Sequence, residues 1–491
     1  MQEAAKLTAV FVLAILVLGG LEYYGYETLS GQVSNTKEGL NAQISELRSN
    51  ITSLSSQASL DQSTITTLEN RISSLESQGS QTNSTILSLE RKVTSLMAQL
   101  SGDSSTIQSL DNQVSLLQSE IAGLHVGCYD TIMVNTTLSS VVGTCENGLV
   151  IGASHIFLDC AGFVIFGFGY PRGVGIRLDN VADVTIRDCQ VAEFGIGFSL
   201  TDSSGIVLKG DNATDATRAG FLLNGTSNGD ILTGDLAQND YLGFDLNGSS
   251  YNILTTNTAV RSGAAGFYYQ DASYNSAVNN TVTKSELDGF VLTLSSNDNG
   301  LEMDNSSHNQ RAGFTFSGSS GNALTKDVAS SDGYDGFYFA GPSGHNAITS
   351  TTATHDYWGF LFNGSSYNSM VGNIADDNVR DGFYFLSALN NSILSSTAEG
   401  NSNDGIHLSE SSGNILIQNT ADRNNYSGIY LSRSAENMLR NNTASYNAQY
   451  GFFDSTMGTG TGGTANTYTK DSCMDNGIAG SAPGGLGSPQ S

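Results

Sequence analysis

Five carboxylates fall on a common beat. Asp376, Glu399 and Asp422 follow one another at intervals of 23 residues, and Asp381 and Asp404 repeat the same step. If that interval is one turn of a repeating fold, these side chains stack about 5 Å apart, where like charges repel unless one is protonated or a cation bridges them. Calcium suits such an all-oxygen set. Paired carboxylates are also the minimum for cleaving a glycosidic bond. The plainer alternative is an acidic turn ladder neutralised by Arg380 and Arg423, which lie close in sequence.

A second column is aromatic. Two residues after a recurrent glycine stand Tyr268, Tyr338, Tyr384, His407 and Tyr430, and two residues before it stand Tyr334 and Tyr357. Tyr rings on a rigid sheet are surfaces for sugar rings, with Asn and Asp supplying hydrogen bonds. The alternatives are lateral packing of each ring on its neighbours and contact between subunits. The six His and eight Met are scattered, so no soft-ligand copper set forms. The motifs of pectin-cleaving hydrolases are missing, and no lyase-like Arg or Lys base stands out.

The elements that position these residues follow from the glycines. They run from Gly175 to Gly451 at intervals of 23, apart from one 22 and one 24, and each is followed by Phe or Ile. The sequence DGFYF occurs at 335–339 and again at 381–385, two periods apart. So fixed a period means a repeat architecture. Apolar residues alternating around polar turns predict three short strands per coil, and about 14 coils stacked about 4.8 Å apart. Asn recurs nine or ten residues after the glycine, as in Asn252, Asn275 and Asn322. Stacked coils would pair these amides along the axis.

The stretches GIYLSRSAENMLRNNTASYN (428–447) and GIHLSESSGNILIQNTADRN (405–424) resemble the repeats of NosD-like proteins. NGLVIGASHIFLDCAGFVIFGFG (147–169) is similar to the first coils of that family. The resemblance implies an all-β right-handed parallel β-helix over residues 126–454. The family's link to copper-site maturation does not extend to this chain, which lacks the clustered ligands. β-Helices carry lyases, hydrolases, epimerases, spikes and adhesins alike, so the fold leaves function open.

Two segments precede the repeats. Residues 1–28 contain an apolar run, Leu7 to Leu21, that predicts a signal anchor without a small-residue cleavage site; the alternative is a removed signal peptide. Residues 29–125 carry heptads from Ile44 to Leu124 with Ile, Val or Leu at most a and d positions, which predicts a long α-helical coiled-coil stalk. Ile at a with Leu at d suits a dimer, whereas RISSLE at 71–76 resembles a trimerisation motif. A homotrimer is expected, with a dimer next. Residues 455–491 read as a loose Gly-rich tail.

The formal charge of −27 rests on 20 Lys and Arg against 47 Asp and Glu. It excludes nucleic-acid binding through a basic face. Cys128, Cys145, Cys160 and Cys189 predict two disulfides and an oxidising compartment, with Cys473 free. The sequence thus predicts a membrane-anchored, stalked protein of the cell or virion surface, attached to glycans or envelope proteins and needing no cofactor except a possible calcium. The alternatives are a polysaccharide lyase, hydrolase or epimerase, and an envelope scaffold without a ligand.

Overall fold

The computed structural model describes residues 30–77, 83–122, 126–169, 171–456, 466–486 and 488–489. The expected membrane segment, Leu7 to Leu21, lies outside them. Among the described residues no helix is long and apolar enough to cross a membrane.

Two helices come first, α1 (Ser30–Ser77) and α2 (Asn83–Ala122). The single continuous stalk expected over 29–125 is therefore not found. The sequence between them includes Gly79 and Ser80, residues of low helix propensity at a weak heptad layer. On α1, Leu47, Ile51, Leu54, Ala58, Asp61 and Ile65 are half-buried while most of their neighbours are exposed. Val93, Leu96, Asp103, Ile107 and Leu110 form the matching row on α2.

From Gly127 onward the chain is a parallel β-helix of about 14 turns. A full turn contributes one strand to each of three sheets, and in the later turns single bridges at Thr397, Thr420 and Thr443 take the place of the third strand. In one coil these are Ala219–Asn224, Ile231–Thr233 and Leu236–Gln238. Every strand pairs in parallel with its counterpart one coil away, as Phe221 does with Phe244. The sheets hold 16, 15 and 11 strands.

Inside, identical residues stack. Phe198, Phe221, Phe244, Phe267, Phe290, Phe314, Phe337, Phe360 and Phe383 form one column with centroids 4.5 to 4.8 Å apart and planes within 11°. Each is fully buried, which contributes about 1.5–3 kcal/mol per ring.

The recurrent glycine has a steric cause. A Cβ at Gly359 would lie 2.5 Å from the carbonyl oxygen of Gly382 and 2.8 Å from Asn378 Nδ2. The backbone also kinks there, so that the Gly and the following Phe both face the core, while the residue before and the residue two after face outward. Between the second and third sheets the corner is left-handed, with φ of 70° at Gly234 and 57° at Asn279. The next residue turns inward and joins a ladder: Asp235 N donates to Asn257 Oδ1 at 2.9 Å, while Asn257 Nδ2 donates to Leu232 O at 3.0 Å.

Two disulfides join Cys128 to Cys145 and Cys160 to Cys189, and Cys473 is free and buried. The loose tail expected after 455 needs correction. Asn466, Asp471 and Asn476 extend the three ladders by accepting from the backbone N–H groups of Asn437, Asn442 and Asn447. Strands Thr467–Thr469 and Ala479–Ala482 pair with the preceding coil. The spacing of 29 residues here, against 23 elsewhere, means that an insertion hid this coil from the period.

Candidate functional site

The kink at each glycine leaves two neighbouring outward columns on the first sheet. One reads Trp358, Asp381, Asp404 and Ser427; the other reads Tyr384, His407, Tyr430 and Phe453. The acidic and aromatic sets that the sequence predicts separately therefore meet, because three residues along a kinked strand bring Asp404 beside His407.

Asp381 is the centre of this group. Its Oδ1 accepts from Asp404 N at 2.9 Å and from Asn403 Nδ2, and its Oδ2 accepts from Trp358 Nε1 at 3.3 Å. His407 Nδ1 lies 3.8 Å from Asp381 Oδ2 and 4.0 Å from Asp404 Oδ2. On the other side of the ring, Nε2 is 3.2 Å from Ser432 Oγ. The imidazole stacks between Tyr384 and Tyr430, with centroids at 4.9 and 4.5 Å. His407 is the most open of the three, with 15% of its side chain exposed against 4% for Asp381.

The two carboxyls differ in surroundings. Burial, and then the charge of Asp381, push Asp404 up to about 7, against the pull of His407 and the Ser427 N–H. Asp381 accepts from three N–H donors, those of Asp404, Asn403 and Trp358. A carboxyl raised by burial beside one held by several N–H donors gives two acids in unlike surroundings within one site.

The other predicted residues separate. Asp376, Glu399 and Asp422 belong to a different face: Asp376 accepts from Glu399 N at 2.8 Å, Arg423 pairs with Glu399, and Asp422 accepts from Ser445 N at 2.7 Å. They do not join Asp381 and Asp404 in one cation site. Tyr268 lies between Asp245 and Val291, and Tyr338 between Thr315 and Leu361. Tyr334 and Tyr357 tilt against each other at 5.7 Å, and Arg380 Nε donates to Tyr357 Oη at 3.0 Å. Because Tyr384, His407, Tyr430 and Phe453 cover one another's faces, they turn edges rather than flat platforms to solvent.

Three participants escaped the sequence reading: Trp358, Asn403 and Ser432. The first was within reach, since Trp358 stands 23 residues before Asp381 in the same column. A separate surface depression of about 430 Å³, lined by Tyr241, Arg261, Asp215 and Glu286 among others, does not touch this group.

The first sheet of the parallel β-helix thus carries one Asp, Asp, His cluster. Residues 129–280, 256–374 and 332–472 match the family described as periplasmic copper-binding protein (NosD), and the chain belongs to that family. No curated protein matches it significantly in sequence. Among solved structures it is similar to a mutant of a periplasmic alginate epimerase, at 12% identity over 63% of this chain and 74% of that one, with a TM-score of 0.37. The A-module of a mannuronan C-5 epimerase from Azotobacter vinelandii gives 15% identity, 75% and 89% coverage and a TM-score of 0.31. The catalytic domain of an α-1,3-glucanase gives 13%, 70% and 63%, and 0.32. These are likenesses of fold.

Among the described residues the family's copper finds no clustered soft ligands. Among the described residues the one convergent set is Asp381, Asp404 and His407, whose ligand atoms lie within 4.8 Å of one another. Two carboxyls and a single imidazole, with no Met or Cys beside them, do not make a soft-ligand copper site.

Proposed function

We propose that the chain is an exported polysaccharide-modifying enzyme whose proton-transfer centre is His407 with Asp381 and Asp404. The observation that carries this reading is the position of His407 Nδ1, 3.8 Å from the Asp381 carboxyl and 4.0 Å from that of Asp404. Asp404 acts as the acid, Asp381 orients the imidazole, and His407 carries protons to the surface, where substrate meets it. Apo distances of this length tighten in catalytic complexes.

The substrate class follows from charge. With a net charge of −27 and two aspartates at the centre, the face repels a polyuronate. An uncharged glycan fits better, and hydrolysis of a glycosidic or ester bond is the reaction class. Two disulfides support an oxidising, extracellular or periplasmic setting. The half-buried heptad rows of α1 and α2 support assembly with further copies of this chain through a coiled coil, as a trimer or dimer. The run from Leu7 to Leu21 supports a membrane anchor.

Attachment to glycans is the second reading, favoured by the exposed rings of Tyr241, Tyr334 and Tyr426. The test is incubation of the purified chain with neutral surface polysaccharides, followed by mass analysis of bound and released sugars. Shortened or de-esterified products, lost in His407→Gln, are expected. Glycan retained intact, equally by the chain and by His407→Gln, would exclude the enzyme and leave attachment.

A further inference from the structure

The three internal ladders are built mostly of Asn, yet nine places hold Asp; Asp211 and Asp471 use Oδ2 to accept from Lys209 N and Thr469 N, each at 3.0 Å, which leaves seven: Asp230, Asp235, Asp240, Asp304, Asp327, Asp332 and Asp356. In each, Oδ2 is buried without a hydrogen-bond partner. Oδ1 does what an amide oxygen does, accepting from the backbone one coil back, as from Asp332 N to Asp356 at 2.7 Å and from Asp304 N to Asp327 at 2.9 Å.

The orphaned oxygens stand where amide nitrogens stand in other coils. A Cβ at Gly336 would lie 2.5 Å from Asp356 Oδ2, and at Gly313 2.6 Å from Asp332 Oδ2. At Gly382 the same point is 2.8 Å from Asn401 Nδ2, and at Gly428 it is 2.7 Å from Asn447 Nδ2. Those nitrogens donate to main-chain carbonyls, Asn401 to Ala375 O at 2.8 Å and Asn447 to Ala421 O at 2.9 Å. An ionised carboxylate would set an acceptor against that acceptor in a dry core. A protonated one donates as the amide does.

We infer that these seven aspartates are carried as neutral acids in place of asparagine amides, which makes this β-helix a fold for an acidic exterior.

The groups around them agree. The charged groups acting on five of the seven are themselves acidic: Asp332 and Asp335 on Asp356, Asp288 on Asp332, Asp304 and Glu302 on Asp327, Glu302 on Asp304, and Asp215 on Asp240, while main-chain N–H groups two residues back pull Asp235, Asp240, Asp304, Asp327 and Asp332 the other way without offsetting burial. Asp211 lies next to Asp235 in its ladder and donates its N–H to it, and the Tyr269 hydroxyl is buried without a partner on the core side, where it feels the charge of Asp304. No Lys or Arg is among these groups. Burial raises Asp230, Asp235, Asp304 and Asp332 to about 7, Asp240 to about 8 and Asp356 to about 9.

The sign follows. Below the ordinary value of 3.8 the carboxyls are neutral in the folded and unfolded chain alike, and the contribution is complete. As pH rises toward the folded values, only the unfolded chain releases protons, so stability falls through that window.

The test is the urea unfolding rate of the full chain at pH 4 and pH 8. Unfolding is expected to be slower at pH 4 by about tenfold or more, the factor that one pKa unit carries. Asp356→Asn should slow unfolding at pH 8 by about tenfold and change it little at pH 4. Asn401→Asp should do the reverse, speeding unfolding at pH 8 alone. A rate equal at both pH values or slower at pH 8, or an Asp356→Asn chain no slower than the parent at pH 8, overturns the inference.

Discussion

The backbone N–H of Asp404 donates to Oδ1 of Asp381 at 2.9 Å. One coil thus delivers a carboxyl against that of the coil before it, and the pair is held by the main chain rather than by a loop. The site's geometry is therefore set by the sheet itself.

Substituting His407 by Gln keeps a planar side chain between the two Tyr rings but removes the proton carrier. Turnover should drop by about 10²–10⁴, with the urea midpoint little changed. Steady-state assay of released sugar checks this.

Asp404 is raised to about 7, by burial first and then by Asp381. An activity that needs its proton declines as pH rises through that value. The alkaline limb of the pH–rate profile should therefore lie near 7, and Asp404→Asn should abolish the limb together with most of the activity.

A methyl group at Gly359 meets the Gly382 carbonyl oxygen at 2.5 Å, an atom of the next coil's backbone that cannot swing aside. Gly359→Ala should cost about 1–3 kcal/mol or more. Phe337→Ala, which opens the ring stack between Phe314 and Phe360 at 4.6 and 4.8 Å, should cost about 3–5 kcal/mol. Denaturant midpoints measure both.

Ile51 and Leu54 belong to the half-buried heptad row of α1. A double substitution to Asp should lower the oligomeric state of the full chain in sedimentation while leaving the β-strand circular dichroism signal intact. A mass unchanged from the parent would remove α1 from the assembly.

Much of the fold was legible because stacked coils copy one another. Once Gly220, Gly243 and Gly266 show the step, strand register follows for every coil that keeps it. The final coil did not, because the 29-residue spacing between Asn437 and Asn466 breaks the count where Gly and Thr crowd the sequence. The site was half legible. Asp381, Asp404 and His407 stood out by type, but they were assigned to two different ideas, a cation ladder and a sugar platform.

What the sequence by itself determined is the period, and with it the coil, the ring stacks and the Asn ladders, since each depends only on like residues recurring at one interval. Tertiary structure alone decided which aspartates serve which role. Asp356 turns inward at a corner, while Asp381 turns outward beside a kinked glycine, although both sit in the same acidic, Gly-rich context. Simple alternation along a strand does not separate them, because the kink sets Gly382 and Phe383 both inward, and that break in the pleat exists only once neighbouring coils crowd the glycine.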